Sequence, residues 1–228
     1  MHLAIVIPVY NEQKVIGSVI NGLPKQIKGI NKIEILAVND GSTDSSVREI
    51  KKTRAKLISH VVNLGYGAAS TTGLEGAKKI GVDIAVTFDG DGQHDPNDIE
   101  KVIAPILANK SDVIIGTRFH NIRSMPILKR IGIKGLNFII FLFSGHWSTD
   151  SQCGLKAFSS RALDKMELET TGMEFASEVI LEARKRRLRI KEISAKTIYT
   201  RYSRKKGQSP LNGINIVLKM VAKKLAIK

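Results

Sequence analysis

The residues with the clearest chemical content are Asp89-Gly90-Asp91-Gly92-Gln93, inside the run Val86-Thr-Phe-Asp-Gly-Asp-Gly-Gln-His-Asp-Pro96. Two carboxylates spaced Asp-x-Asp follow directly on an apolar stretch, Val82 to Phe88, that reads as a buried strand. Along an extended chain residues i and i+2 point to one side. Asp89, Asp91 and Gln93 can therefore offer oxygen ligands to a single hard divalent cation. Gly90 and Gly92 keep side chains away, leaving room for a bulky anion such as a diphosphate to complete the coordination sphere. The same residue types also make an ordinary turn, with Asp95-Pro96 opening the next helix. A bare Asp-x-Asp does not separate the two readings; the rest of the chain has to.

The elements that would position these residues repeat at regular intervals. Leu3 to Val9 is a continuous β-branched run that reads as a central parallel strand, and a helix is expected from about Glu12 to Leu23. Ile33 to Val38 reads as a second strand, ending in Asn39-Asp40-Gly41-Ser42-Thr43-Asp44, with Ser42 or Thr43 as the cap of a helix reaching about Thr53. Leu57 to Val62 is a third strand, and Asn63-Leu-Gly65-Tyr-Gly67 opens a helix to Ile80. After the Asp-x-Asp come a helix over 95–108 and a strand over 113–116. Strands alternating with helices predict an α/β fold with a mostly parallel, doubly wound sheet. Ligands of such sheets collect at the carboxyl ends of the strands, here Tyr10 to Glu12, Asn39 to Asp44, Asn63 to Gly67 and Asp89 to Gln93.

Beyond Thr117 the pattern loosens. Ile131 to Phe143 reads as an apolar helix, either of the core or lying in a membrane interface. Asp150 to Phe158 reads as a polar turn running into a short strand, Glu174 to Arg187 as an amphipathic helix, and Arg189 to Tyr199 as a strand. Residues 211–228 read as a basic amphipathic helix suited to anionic lipid or to packing on the domain.

The net charge of +15 is confined to the second half: residues 1–117 balance 13 Lys and Arg against 13 Asp and Glu, whereas 118–228 carry 23 against 8. Such a half suits nucleic acid, an anionic membrane surface or a phosphorylated substrate. Aromatic content of 5% and the lack of a reader motif argue against nucleic acid. The one cysteine, Cys153, allows no intrachain disulfide and suits a reducing compartment. Met1 to Pro8 reads as a strand rather than a signal peptide, and the six-residue apolar run Phe138 to Phe143 falls far short of the roughly 20 residues of a membrane span. The expected location is cytoplasmic and peripheral to the membrane.

With these pieces placed, the sequence resembles the GT-A nucleotide-sugar glycosyltransferases, in particular the polyprenol-phosphate (dolichol-phosphate) mannose and glucose synthases. The resemblance spans roughly residues 1–210 and rests on ordered motifs: Ile-Pro-Val-Tyr-Asn-Glu (7–12), Val-Asn-Asp-Gly-Ser-Thr-Asp (38–44), Asn-x-Gly-x-Gly-x-Ala (63–69), Asp-Gly-Asp-Gly-Gln-His-Asp-Pro (89–96), Gly-Thr-Arg (116–118) and Asp-Ser-Gln-Cys-Gly-Leu-Lys (150–156). It implies a GT-A catalytic domain over 1–210, with a nucleotide-sugar half at 1–117 and an acceptor half at 118–210. By the resemblance Pro8, Tyr10, Glu12, Asp40, Gly67, Asp89 and Asp91 hold the donor, and Asp89, Asp91 and Gln93 bind Mg²⁺ or Mn²⁺. Arg118, Arg130, Lys134 and Arg204 contact the acceptor phosphate, and Asp91, Arg118 and Asp150 carry the reaction.

The implied reaction is a single inverting transfer of mannose or glucose from GDP-mannose or UDP-glucose to a polyprenyl or dolichyl phosphate. Attachment to the membrane would run through the basic half, the 131–143 stretch or a separate membrane subunit. Asn39, Lys134 and Pro210 depart from the family pattern, where Asp, Ser and Lys are common, and the donor stays open. A phosphate acceptor is already anionic and needs no strong base. A sugar-hydroxyl acceptor would need one, and Asp150 is then the candidate.

Overall fold

A computed structural model describes residues 1–118 and 127–198, without the side chains of 127–131 and 133. Its strands are β1 (His2–Val9), β2 (Lys32–Asp40), β3 (Lys56–His60), β4 (Ile84–Thr87), β5 (Val113–Thr117), β6 (Lys156–Ser159) and β7 (Ile190–Ser194). They form one sheet in the order β3-β2-β1-β4-β6-β5-β7. An uninterrupted apolar strand has no polar face to turn to water and must be covered on both sides. Accordingly Leu3, Ile5 and Ile7 of β1 enter one core with Ile16, Ile20, Ile99 and Ile103, while Ala4 and Val6 enter the opposite core with Leu74, Ala77 and Val179. Helices α1 (Ile16–Gly22) and α4 (Asp98–Leu107) thus supply the first layer, α3 (Tyr66–Lys79) and α7 (Phe175–Lys185) the second.

The four N-terminal strands pair in parallel, as the alternation of strands and helices predicts. β6 does not: it is antiparallel to both β4 and β5 and is wedged between them. The short helix α6 (Ser160–Lys165) after it is an addition to the sequence reading. Helix α2 (Ser46–Lys51) begins later than expected, with Ser45 as its N-cap residue and no side-chain cap bond. Ser42 is drawn away because its Oγ accepts the backbone N–H of Asn11 at 3.0 Å, tying the ends of β1 and β2 together. Helix α5 (Ile127–Ser144) is longer than expected and packs on α7, with Leu136 and Ile140 in a small core beside Ile180. Arg204 and the basic segment 211–228 lie outside the described residues.

Candidate active site

Because β2 and β3 lie to one side of β1 and β4 to the other, the sheet has its switch point between β1 and β4, where open α/β sheets bind ligands. A cleft of about 380 Å³ opens there. Pro8, Tyr10 and Glu12 reach it from β1, Asp40 from β2, Asn63, Gly65 and Tyr66 from the loop into α3, and Asp89 and Asp91 from β4. Gln152, Gly154, Met173 and Ala176 close it from the second half. Of the residues anticipated at the donor, all but Gly67 line this one cleft. Gly67 packs elsewhere: its N–H donates to the Thr171 carbonyl at 2.7 Å, and a Cβ would lie 2.3 Å from the Thr170 oxygen. The close approach of the first turn of α3 to the 170–172 segment requires glycine there.

The two carboxylates of the Asp-x-Asp have opposite environments. Asp89 accepts from the Tyr66 hydroxyl at 3.0 Å and bonds His94 Nε2 at 2.8 Å. Burial alone would raise its pKa, but His94, Tyr66 and Lys156 outweigh it and hold the carboxyl below its ordinary range. Burial and then the Asp89 charge raise Tyr66, which keeps the phenol a donor. Asp91 takes the backbone N–H of Gln93 at 2.9 Å and its side-chain amide at 2.6 Å. Burial first, and then the charge on Asp89, push the Asp91 pKa upward. Gln93, expected as a metal ligand, donates its side-chain N–H to Asp91, a bond that orients the carboxylate and leaves the Gln93 amide oxygen for a cation.

Among the described residues no three His, Cys, Asp or Glu converge as a metal cage. Two carboxylates suffice, however, for a cation that takes its remaining ligands from substrate phosphates and water. The donor set fits such an ion: both groups are hard oxygen ligands at the end of one strand and line one cleft.

Asp89 is seated by a residue that the motif gives no reason to single out for this task. A Cβ on Gly154 would lie 2.1 Å from Asp89 Oδ2, and the Gly154 carbonyl is itself fixed by the Thr87 hydroxyl at 2.7 Å. Gly154→Ala will displace the Asp89 carboxylate and lower turnover by roughly 10²-fold; initial rates on protein whose circular dichroism matches wild type check this.

Asp40 lines the cleft but both its oxygens are committed. Oδ1 accepts from Leu64 N at 2.9 Å and meets His60 Nδ1 at 2.7 Å, and Oδ2 accepts from Gly65 N at 2.8 Å. It holds the loop that enters α3.

Arg118 and Asp150 form a two-pronged ion pair, Nε to Oδ2 at 2.6 Å and Nη2 to Oδ1 at 2.7 Å, and the Arg118 backbone N–H adds a third bond at 3.0 Å. Asp150 has no solvent exposure. In this arrangement Asp150 holds Arg118, and service as a general base, expected for a sugar-hydroxyl acceptor, would require that pair to open. Burial pushes the neighbouring Cys153 thiol up to about 12, so the one cysteine stays protonated and is no nucleophile. Lys134 lies on the exposed face of α5, apart from the cleft lining; of Arg130 only the backbone, within α5, is described.

The sequence reading missed Tyr66, His94 and Lys156, and met Gln152 only within the Asp150-x-Gln152-Cys153-Gly154 form, which looks more like glucose-transferring than mannose-transferring relatives. Only their places inside quoted motifs could have drawn notice to them: Tyr66 and Lys156 act on Asp89 from distant parts of the chain, and His94 reaches it from within the same motif only once the loop has folded back.

Comparison with known proteins agrees with this geometry. The family model for glycosyl transferase family 2 matches residues 4–166. A UDP-N-acetylglucosamine–dolichyl-phosphate N-acetylglucosaminyltransferase of Methanococcus voltae is 38% identical over 243 aligned positions, covering 97% of this chain and 95% of that protein. An uncharacterized protein of Methanocaldococcus jannaschii is 40% identical, covering 97% and 91%. Among solved structures, glucosyl-3-phosphoglycerate synthase from Mycobacterium tuberculosis, determined with Mn²⁺, UDP and glucosyl-3-phosphoglycerate, superposes with a TM-score of 0.71 at 18% identity, covering 99% of this chain and 79% of that one. The fold is GT-A, as the motifs imply.

Proposed function

The chain belongs to glycosyl transferase family 2, and from that membership we propose that it transfers a 2-acetamido sugar from a UDP-sugar to a polyprenyl monophosphate. The reaction class rests on the family and on the cleft, where strand-end carboxylates gather around a ligand-sized volume; Arg118, buried against Asp150, is not among the residues that line it. The choice of donor and acceptor rests on the near-full-length Methanococcus voltae relative, and it takes the place of the mannose and glucose donors expected from the motifs.

Breaking the sugar–diphosphate bond develops negative charge on the leaving nucleotide. Stabilising that charge where it forms is worth more than any contact made equally in the ground state. Asp89 and Asp91 would hold Mg²⁺ or Mn²⁺, which when bound supplies that stabilisation. An acceptor phosphate oxygen is anionic near neutral pH, so the protein has to position it rather than deprotonate it. Arg118, held by Asp150, is the cation we assign to that task.

The test is transfer of label from UDP-N-acetylglucosamine, UDP-glucose and GDP-mannose in separate arms to a polyprenyl phosphate, with Mg²⁺ or Mn²⁺ and with chelator. Label in the organic phase from the first donor, lost on chelation, is the expected result. Label from GDP-mannose alone would overturn the donor assignment, and no lipid product from any donor the acceptor assignment.

No helix among the described residues is long and apolar enough to cross a membrane. Helix α5 nevertheless leaves Phe138, Phe141 and Leu142 exposed on one face, with Trp147 edge-on to Phe141 at 5.7 Å and Lys134 one turn from Phe138. Aromatic and aliphatic side chains flanked by lysine suit the headgroup boundary, and this face would bring the cleft to a lipid acceptor without a separate membrane subunit. We expect the purified chain to float with anionic vesicles, and the Phe138→Ser/Leu142→Ser variant to bind them at least tenfold more weakly.

A further inference from the structure

We propose that Gln152 reads the acetamido N–H at C2 of the donor sugar. The inference rests on the donor reading above and assigns a residue to it. Its place in the cleft follows from strand order. Asp40 and Asn63 belong to the β2 and β3 side, Asp89 to the end of β4, and Gln152 and Gly154 to the turn that enters β6, the next strand along. A diphosphate held at Asp89 and Asp91 through a divalent cation, with its nucleoside toward Tyr10 and Asp40, would place its sugar beside Gln152.

The orientation of the Gln152 amide follows from a chain of hydrogen bonds. Asn137 Nδ2 donates to the Thr149 carbonyl at 2.7 Å, and a carbonyl can only accept, so the donor end of Asn137 is fixed. Asn137 Oδ1 then receives both the backbone N–H of Ser151 at 3.2 Å and its hydroxyl at 2.7 Å. A serine has one hydroxyl proton, so Ser151 Oγ has only lone pairs left for Gln152. The Gln152 NH₂ group therefore faces Ser151 Oγ at 3.3 Å and Ser177 Oγ at 2.9 Å. Both amide protons are spent, and the Gln152 carbonyl has no protein donor among the described residues. It is an acceptor, held in one orientation, on a side chain that lines the cleft.

Met173 and Ala176 line the cleft with it and offer apolar contact to an acetamido methyl. The acceptor favours an amide over a hydroxyl for a physical reason. A C2 hydroxyl can rotate its proton toward another acceptor or water, whereas an acetamido N–H has one direction and is left unsatisfied if the acceptor goes.

The experiment compares kcat/KM for UDP-N-acetylglucosamine and UDP-glucose in wild type, Gln152→Met and Ser177→Ala. The ratio of the two, measured on one preparation, does not depend on the fraction of active protein. We expect wild type to favour the acetamido donor and Gln152→Met to reduce that ratio by about tenfold or more. Ser177→Ala, which frees the amide to turn, should reduce it in the same direction by less. An unchanged ratio in Gln152→Met beside a wild type that favours the acetamido sugar would overturn the role of Gln152 alone. A wild type without that preference would overturn the donor reading and this inference with it.

Discussion

Asp91→Asn will abolish sugar transfer, by roughly 10³-fold or more, while making the metal-free protein more stable. The two effects have one origin. Asp91 lies beside Asp89 in a partly desolvated cleft, and burial and that neighbouring charge raise its pKa. A carboxyl whose pKa is higher folded than unfolded binds its proton more tightly in the native state. Stability therefore falls as pH rises from the unfolded value of about 3.9 through the raised folded value, and the full penalty is present above it. Asparagine keeps the shape and removes the charge, so in chelator the variant should melt higher than wild type at neutral pH, and the gap should close on acidification.

Asp89 has the reverse sign. His94, Tyr66 and Lys156 overcome its burial and lower its pKa, so its ionised form contributes stability above the unfolded pKa that is lost as pH falls through the folded one. Asp89→Asn should therefore abolish transfer and also lower the melting temperature. Adding Mn²⁺ or Mg²⁺ with UDP should raise the wild-type melting temperature by mass action and leave both variants nearly unmoved. Melts and turnover of the two variants, with and without metal, check all of these signs. Two destabilised variants in chelator would show that the raised Asp91 pKa does not reflect strain between the two carboxylates.

That opposition between neighbouring aspartates could not be read from the sequence, where both are equally Asp after a strand. The strand ends themselves were legible, because largely apolar runs such as Leu3 to Val9 and Val82 to Phe88 fix a buried parallel sheet, and the polar residues following each run must gather on one edge. What sets the chemistry apart there is supplied by long-range partners: Tyr66 from the start of α3, His94 from the loop after β4, Gly154 from the turn before an antiparallel strand. The insertion of β6 between β4 and β5 was equally hidden. Lys156 to Ser159 is too short for its periodicity to declare a direction, and only pairing with Ile84 to Thr87 decides it. The pairing of Asp150 with Arg118 was hidden for the same reason. An aspartate in a polar turn suggests an exposed base until the chain folds and Arg118 encloses it.

The Arg118–Asp150 pair carries the second large effect. With Arg118 at 13% exposure and Asp150 at none, neither charge has water to fall back on. Removing one partner strands the other at a cost of about 3–5 kcal/mol, which corresponds to a fall of roughly 6–20 °C in melting temperature for a chain of this size. Asp150→Asn and Arg118→Met should both show it. The double variant Arg118→Met/Asp150→Leu should recover most of the lost stability, because apolar replacement of both partners removes the stranded charge. Its activity should not recover. If Arg118 meets the acceptor phosphate, as proposed, every variant lacking it stays at least about 10²-fold below wild type, measured at a temperature where all are folded. Asp150→Asn, which keeps the arginine but loosens it, should retain more turnover than either variant without it. A double variant that regains activity along with stability would reduce the pair to a structural bond and send the search for the acceptor's cation elsewhere in the basic half.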